Sequence, residues 1–329
     1  MQYQKLFILV VLSLVSIDSI ESYSVNYHHE VQAKDSDDES IDFLSYNVWA
    51  LPVWLPKVGI NRRFDKIGNQ LSNGHYEVIC FQEAFMKRFR KKIFNRLGST
   101  YYSQADYACS NTILGPIKRD CNGGLMTFSK YPILFESFIE FPIYEDMRVE
   151  EIIGHKGFLI SLINGPNGKF YVINTHLYAG PSERDEFQRL RQIEFMKSII
   201  DEEFQNNDYP LILMGDLNVD HPNTCKTRGI GNSPVYSYIK NIMGFIDTAP
   251  DIDENNFTID KSRNKYSGSK NGKQKLDYCF YKSPEHTILN IVKFGTDFYG
   301  PQSYSDHLAL YTTIHIEKER TNMNFTSVD

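Results

Sequence analysis

The sequence predicts an α/β fold in which two mixed β-sheets pack as a sandwich flanked by helices. Short runs rich in β-branched and aromatic residues recur along the chain, each bounded by polar residues or glycine, which is typical of buried strands. Segments with apolar residues at helical spacing alternate with these runs in the first half of the chain. Mixed strands with interspersed helices favour packed layers, with the helices outside.

The strands are predicted from their composition and from the turn residues that bound them. In chain order they cover residues 42–47, 77–82, 124–129, 133–140, 156–163, 169–175, 210–215, 275–281, 288–294 and 307–316. The stretch that follows residue 215, up to about residue 274, is rich in loop-forming residues.

Helices are predicted between several of these strands. One covers about 62–71 and another 85–97, where apolar residues recur on one face. A third opens after Ser182, because Asp185 stands three residues further on and the two side chains can form a capping box.

The ends of the chain differ in composition from its middle. Residues 1–24 are predicted to be a signal peptide, since their apolar run of about 12 residues is too short to span a bilayer. A membrane-anchored N-terminus is the alternative. Residues 25–40 are acidic and predicted to be a flexible leader. One catalytic domain is expected over 41–317, followed by a polar tail at 318–329, in a secreted protein.

The charge balance of the chain disfavours one class of partner. The 35 Lys and Arg residues are outnumbered by 41 Asp and Glu residues, which gives a net charge of −6. Proteins that bind nucleic acid through its phosphates tend to be basic. No nucleic-acid partner is therefore expected, although a local basic patch stays compatible with this composition.

The cysteines predict one disulfide bond. Cys109 and Cys121 flank a loop, and export from the cell would permit them to pair. Cys80 and Cys279 lie inside predicted strands, where buried, unreactive thiols are expected. Cys225 lies in a loop without an assigned partner.

Residues able to bind a metal ion or a phosphate stand at the ends of several predicted strands. They are Asn47, Glu83, His176, Asp216 with Asn218, and Asp306 with His307. Strand ends in a layered α/β protein gather at one rim, where rigid backbone can position reactive groups. Taken singly, Glu83 is more often a salt-bridge partner, a histidine is more often structural, and Asn47 or the segment around Asp216 is compatible with a simple turn. Together they indicate metal-assisted cleavage of a phosphate ester, with a histidine as general base.

The order of these segments resembles that of the endonuclease/exonuclease/phosphatase superfamily, from about residue 42 to residue 316. The matching segments are Asn47, Gln82-Glu83, Thr175-His176-Leu177, Gly215-Asp216-Leu217-Asn218, Leu276-Asp277-Tyr278 and Ser305-Asp306-His307. The superfamily includes deoxyribonuclease-like enzymes, inositol polyphosphate phosphatases and neutral sphingomyelinases. The resemblance implies its two-sheet fold.

Further segments are similar to the sphingomyelinase branch. They are residues 47–52, 80–85, 122–125 with 129–133, 155–158 and 175–179. The Lys156-Gly157 pair discriminates best, because the nucleases lack a comparable pair. Inositol phosphatases normally carry Cys-Asp-Arg around the position of Asp277, and AP endonucleases replace the histidine at position 176. Secreted deoxyribonuclease-like enzymes keep both histidines and remain the alternative.

The resemblance implies roles for the residues on the metal side and for the base. Glu83, with Asn47, would bind Mg²⁺, with Mn²⁺ or Co²⁺ as other options. His307 would act as general base on water, oriented by Asp277. Asp306 would support the metal side.

The resemblance also implies which residues meet the substrate. His176 and Asn218 would donate hydrogen bonds to the phosphate oxygens, and Asp216 would help to position the attacking water. Lys156 belongs to the same substrate-binding set. The substrate would be a membrane lipid, sphingomyelin or a related choline phospholipid, cleaved to ceramide and phosphocholine in the case of sphingomyelin.

A lipid substrate implies peripheral contact with a membrane. The protein is expected to be a monomer. Phe298 and Tyr299 are predicted to contact the membrane and the substrate, because aromatic rings favour membrane interfaces. Trp49, Val53 and Trp54 are further candidates. Packing of these aromatic side chains in the core is the alternative.

Overall fold

Two six-stranded sheets form the framework of the protein, seen in a computed structural model that describes residues 40–51, 60–106, 122–204, 207–220, 233–251, 255–268 and 272–318. In chain order the elements are β1 (Ser40–Asn47), α1 (Ile60–Ser72), β2 (Val78–Gln82), α2 (Lys87–Leu97), β3 (Tyr102–Ala105), β4 (Met126–Ser129), β5 (Ile133–Glu140), α3 (Val149–Ile153), β6 (Gly157–Gly165), β7 (Gly168–His176), α4 (Glu183–Glu203), β8 (Leu211–Asp216), α5 (Pro234–Asn241), β9 (Ile246–Asp247), β10 (Ile259–Asp260), β11 (Lys273–Gln274), β12 (Asp277–Lys282), β13 (Thr287–Asp297) and β14 (Ala309–Lys318).

Several predictions lie outside the described residues. They concern the signal peptide, nearly all of the leader, the polar tail beyond residue 318, Val53, Trp54, and the cysteines Cys109, Cys121 and Cys225.

Both sheets are mixed, as predicted. The first has the order β13-β14-β1-β2-β4-β3, and the second has the order β5-β6-β7-β8-β12-β9. Strands β1 and β2 pair in parallel, and so do β7 and β8, whereas their other neighbours are antiparallel. The prediction of a two-sheet α/β sandwich is confirmed.

The inner faces of the two sheets bury an apolar layer between them. Phe43 and Cys80 from the first sheet pack in one cluster with Val172, Met214 and Cys279 from the second. Both cysteines are free and buried, as predicted. Burial raises the pKa of the Cys80 thiol to about 12, so this group stays protonated and unreactive.

Helices cover the outer faces of both sheets. Phe64 of α1 and Phe89 of α2 pack on the first sheet, while Ile193 of α4 and Ile239 of α5 pack on the second. The predicted capping box opens α4. Among the described residues, no helix combines the length and the apolar character that a membrane span requires.

The strand register brings the strand ends that carry the predicted site residues to one edge of the sandwich, which we call the rim. His176 at the end of β7 pairs with Asp216 at the end of β8, and Asp216 pairs with Asp277 at the start of β12. Gly215 allows this close approach. Its φ is +148°, and a Cβ placed there would lie 1.9 Å from the carbonyl oxygen of Thr175. Only glycine fits at this position.

Candidate active site

The Oδ2 atom of Asp216 lies at the centre of the rim. It accepts a hydrogen bond of 2.9 Å from Nδ2 of Asn47, and it is 3.6 Å from Nε2 of both His176 and His307. The other oxygen, Oδ1, accepts a 2.9 Å hydrogen bond from the backbone N–H of Asn218. The structure thus brings together five predicted residues from four separate segments of the sequence.

Asp216 is a carboxylate in this setting. Burial acts to raise its pKa, but the nearby His307 and His176 and the hydrogen bonds from Asn47 and Asn218 outweigh burial and lower it. The charge at the centre of the site is therefore negative over the working pH range.

His307 and Asp277 form a buried pair. Nδ1 of His307 lies 2.7 Å from Oδ2 of Asp277, and the two residues are 7% and 0% exposed. Because a carboxylate can only accept, Nδ1 donates to Asp277, and in the neutral imidazole Nε2 is the atom that can receive a proton. This is the geometry of a general base with an orienting carboxylate, as predicted from the sequence.

The pKa values of this pair follow from charge and burial. Burial acts to lower the pKa of His307, but the carboxylates of Asp277 and Asp216 raise it well above its ordinary value. Burial raises the pKa of Asp277 to about 6. His307 is therefore a stronger base than a free imidazole.

The carboxylate of Glu83 fits a cation. Its Oε2 atom is buried and has no hydrogen-bond partner among the described residues. Burial and the neighbouring Asp306 raise the pKa of Glu83 to about 7. A buried carboxylate oxygen without a partner is unfavourable unless a cation compensates it. Asn47 Oδ1 accepts one hydrogen bond, from the Trp49 N–H at 3.0 Å, and keeps a second lone pair.

These donors suit a hard divalent ion. Carboxylate and amide oxygens from Glu83, Asp306 and Asn47 are the ligand types that Mg²⁺ and Mn²⁺ prefer. A second group, Asp216, Asp277 and His307, places its ligand atoms within 4.8 Å of one another. In that group Nδ1 of His307 already pairs with Oδ2 of Asp277, and Oδ2 of Asp216 accepts from Asn47. Oδ1 of Asp277 and Oε2 of Glu83 are both buried without a partner among the described residues.

Lys156 approaches the same rim from the start of β6. Its Nζ lies 2.9 Å from Oε2 of Glu151, donates to the carbonyl of Leu177 at 2.8 Å, and is 3.3 Å from Nε2 of His176. Burial and the Lys156 charge lower the pKa of His176 to about 3, so this imidazole is neutral. Nδ1 of His176 is buried without a partner among the described residues.

The glycine of the Lys156-Gly157 pair has a structural reason. A Cβ on Gly157 would lie 2.2 Å from the carbonyl oxygen of Ile139 in the neighbouring strand. Strand β5 therefore approaches closely at this point and fixes the backbone that carries Lys156.

Sequence reasoning missed two supporting residues. Glu151, on the five-residue helix α3, is the carboxylate that pairs with Lys156. Asn264 donates from Nδ2 to the carbonyls of Ser305 and Asp306, at 3.0 and 2.9 Å. Neither residue belongs to a recognisable segment, so the sequence contains no signal that could have found them.

One predicted contact residue is in the core. Phe298 is 5% exposed and packs on Tyr46 and Tyr76, with ring centroids 5.4 and 6.4 Å apart. The prediction that Phe298 contacts the membrane is therefore wrong, because its ring is enclosed by other aromatic side chains. Tyr299 is 52% exposed and lies under the Arg263 guanidinium, so its contact with a membrane stays a prediction.

Backbone strain gathers around the rim. Among the residues that the structure describes, the non-glycine residues with positive φ are Trp49, Glu83, His155, Asn218 and Phe298. Such conformations are unfavourable for residues with a Cβ and persist where surrounding contacts impose them, commonly at functional sites. Glu83 and Asn218, two of the predicted site residues, both belong to this group.

The sandwich fold and the residues at its rim together define a site of the phosphoesterase type. The comparison with known families gives the same class of protein. The chain belongs to the endonuclease/exonuclease/phosphatase family, whose model matches residues 44–307. It is similar to sphingomyelinase C 2 of Leptospira interrogans, with 28% identity over 225 residues, covering 60% of this chain and 33% of that protein. It is also similar to sphingomyelin phosphodiesterase 5 of Danio rerio, with 32% identity over 162 residues, covering 44% and 29%.

These relatives confirm the resemblance to the sphingomyelinase branch. The matched region spans about a third of the length of the curated relatives. The match therefore concerns one part of each of those longer proteins.

Solved structures show the same fold. Beta toxin from Staphylococcus aureus superposes with a TM-score of 0.60 at 22% identity, covering 83% of this chain and 99% of that one. Sphingomyelinase C from Streptomyces griseocarneus gives 0.61 at 18% identity, with coverage of 83% and 99%. TDP2 of Danio rerio, complexed with a single-strand DNA product, gives 0.60 at 16% identity, with coverage of 84% and 99%. At these identities the likeness extends to the fold alone.

Proposed function

We propose that this protein is a secreted, Mg²⁺-dependent phosphodiesterase that hydrolyses sphingomyelin to ceramide and phosphocholine at the surface of a membrane. The observation that carries the proposal is the buried His307–Asp277 pair, which faces the Asp216 carboxylate on the same rim as the partnerless oxygen of Glu83. The sphingomyelinase names of the curated relatives support the substrate. The apolar run near the N-terminus supports export.

His307 is the base in this mechanism. Its Nε2 takes a proton from water, while Nδ1 keeps its hydrogen bond to Asp277 and the resulting imidazolium is stabilised by that carboxylate. The oxygen of water bonds to phosphorus as the bond from phosphorus to the ceramide oxygen breaks. The departing alkoxide takes a proton from solvent and His307 returns its proton to solvent, so one water is consumed and ceramide and phosphocholine are released.

Fixed donors meet the charge on the phosphoryl oxygens. Asn218 uses one amide N–H on the carbonyl of Leu177, at 3.1 Å, and keeps a second for a ligand. The three N–H groups of Lys156 already face Glu151, Leu177 and His176. Lys156 therefore acts through its charge, which is effective in a site shielded from water.

A divalent ion would be held on the metal side of the site by Glu83, Asn47 and Asp306. When bound, Mg²⁺ supplies charge neutralisation at the phosphoryl oxygens. The carboxylates of Glu83 and Asp306 are close enough to raise the pKa of Glu83, and a cation between them relieves that repulsion.

The test compares two substrates with purified protein and Mg²⁺. Phosphocholine release from sphingomyelin liposomes is measured beside nicking of plasmid DNA. His307→Ala is expected to abolish phosphocholine release while folding is retained, and His75→Ala, which alters a histidine with a 66% exposed side chain, should leave it unchanged. Nicking without phosphocholine release would instead identify a secreted deoxyribonuclease-like enzyme.

A further inference from the structure

The rim is assembled from two separate sheets. On the side of the first sheet, Asn47 ends β1, Glu83 follows β2, and Asp306 and His307 precede β14. The second sheet contributes His176, Asp216, Asn218 and Asp277. The distance between the metal side and the phosphate side therefore depends on how the sheets are spaced. The apolar layer between them supplies attraction without directional preference.

A buried hydrogen bond joins the sheets directly beneath the rim. Nε2 of Gln82 donates to Oδ1 of Asn174 at 2.9 Å, and both residues are 0% exposed. Gln82 immediately precedes Glu83, and Asn174 stands two residues before His176. The bond thus connects the backbone that carries the metal-side carboxylate to the backbone that carries the phosphate-side imidazole.

Asn174 is anchored in the opposite sheet through all of its polar atoms. Its Nδ2 donates to the carbonyls of Phe81 at 3.2 Å and Met126 at 3.0 Å, which belong to paired positions of β2 and β4. Gln82 Nε2 is also within 3.2 Å of the Ser45 hydroxyl. Hydrogen bonds are directional, so this network specifies a separation that apolar packing leaves open.

We propose that Gln82 and Asn174 are positioning residues that set the spacing of the two halves of the site. They touch neither substrate nor metal, and they act through Glu83 and His176. Displacements of about 1 Å between reacting groups can reduce rates by about 100-fold. The inference rests on the proposed function only in requiring phosphodiester hydrolysis at this rim.

The matched control lies in the same layer. A hydrogen bond joins the side chains of Gln104 on β3 and Ser161 on β6, which again connects the first sheet to the second. Gln104 and Ser161 are 5% and 0% exposed. Ser161 stands five residues after Lys156, and neither Gln104 nor Ser161 adjoins a residue of the rim in the sequence. Loss of this bond therefore has a similar structural effect without adjoining Glu83 or His176.

The experiment compares Gln82→Met with Gln104→Met, which each remove the inter-sheet hydrogen bond of a buried amide and keep side-chain length. Gln82→Met also removes bonds within the first sheet, to the Ser45 hydroxyl and the Cys80 carbonyl. Activity is measured with sphingomyelin and with bis(p-nitrophenyl) phosphate, and is expressed per folded molecule. Gln82→Met is expected to lower kcat about tenfold or more and to raise the Mg²⁺ concentration for half-maximal activity. Gln104→Met should leave both within about twofold, although both variants melt at lower temperature.

Equal effects of the two substitutions on kcat would overturn the inference, because a purely structural bond predicts no difference between them. If Gln82→Met yields no folded protein, Asn174→Ser removes the acceptor side of the same inter-sheet bond. A fall of kcat of at least about threefold is then expected, and unchanged kcat would overturn the inference. A wild-type protein that cleaves only bis(p-nitrophenyl) phosphate would refute the sphingomyelin assignment, while the comparison of variants would still decide the positioning role.

Discussion

Asp277 and His307 join the two sheets at the rim through a single 2.7 Å hydrogen bond between Oδ2 and Nδ1. Asp277 opens a strand of the second sheet, and His307 lies just before the last strand of the first. The pair therefore forms only when the sandwich is assembled. Because Asp277 raises the pKa of His307, that raised pKa requires both sheets to be in place.

Asp277→Asn removes the negative charge of Asp277 while keeping a side chain of the same size in place. The carboxylate raises the pKa of His307, so its loss is expected to lower that pKa and move the acidic limb of the kcat profile to lower pH. The amide can also donate to Nδ1 and favour the wrong tautomer, which should lower kcat by about 100- to 10,000-fold. Steady-state kinetics across pH would measure both effects. An acidic limb that moves to higher pH would contradict this account of His307.

Glu83→Gln tests the cation site without an activity assay. With its pKa raised from 4.5 to about 7, Glu83 binds more protons in the folded than in the unfolded protein between those values. Its contribution to stability therefore falls as pH rises through this window. In chelator, Glu83→Gln is expected to melt several degrees higher than wild type at pH 8, with a smaller difference at pH 5.

Added Mg²⁺ should reverse that order. A ligand that binds only the folded state raises the melting temperature, so wild type should gain stability from Mg²⁺ while Glu83→Gln should gain little. Glu77→Gln is a suitable comparison, because Glu77 lies before β2, at the other end of that strand from Glu83. Equal Mg²⁺ stabilisation of wild type and Glu83→Gln would remove Glu83 from the metal site.

The sequence was sufficient to predict the sandwich and the residues that meet at the rim. Strand runs ending in Asn47, His176 and Asp216 carry strong local patterns, and parallel strands place their carboxyl ends together. The segment after residue 216 was predicted as loop. It contains α5 and two-residue strands such as β10, which are too short to show a period.

Two features of the site depend on tertiary packing and were beyond the sequence. Phe298 and Tyr299 are adjacent aromatic residues, yet one is enclosed by Tyr46 and Tyr76 and the other is exposed. Glu151 lies on a five-residue helix whose pairing with Lys156 joins residues with no shared pattern. Neither outcome follows from local propensity.

Lys156→Met is expected to affect stability and catalysis by separate routes. Removal of the ammonium leaves the buried Glu151 with only its longer, 3.8 Å ion pair to Arg148, which should destabilise the fold by up to about 3 kcal/mol. It also removes positive charge beside the phosphate site, so kcat should fall at least about tenfold. Urea unfolding and steady-state kinetics measure the two effects independently.

The double variant Lys156→Met/Glu151→Gln separates these routes. Neutralising Glu151 should recover most of the lost stability, because no buried charge is then left unpaired. Activity should stay low, since the charge near the phosphate is still absent. Recovery of kcat together with stability would show that Lys156 has only a structural role.

Gly215→Ala tests whether the approach of β7 and β8 creates the site. A Cβ at residue 215 would lie 1.9 Å from the Thr175 carbonyl oxygen, at a φ of +148° that alanine does not readily adopt. The strands must then separate where His176 pairs with Asp216, so we expect a loss of at least about 2 kcal/mol in unfolding free energy and little remaining activity. Gly268→Ala is the control, because a Cβ there meets no atom within 4 Å and should change stability by less than about 0.5 kcal/mol. Wild-type stability and activity in Gly215→Ala would mean that the pairing of His176 with Asp216 tolerates wider strand spacing than the structure shows.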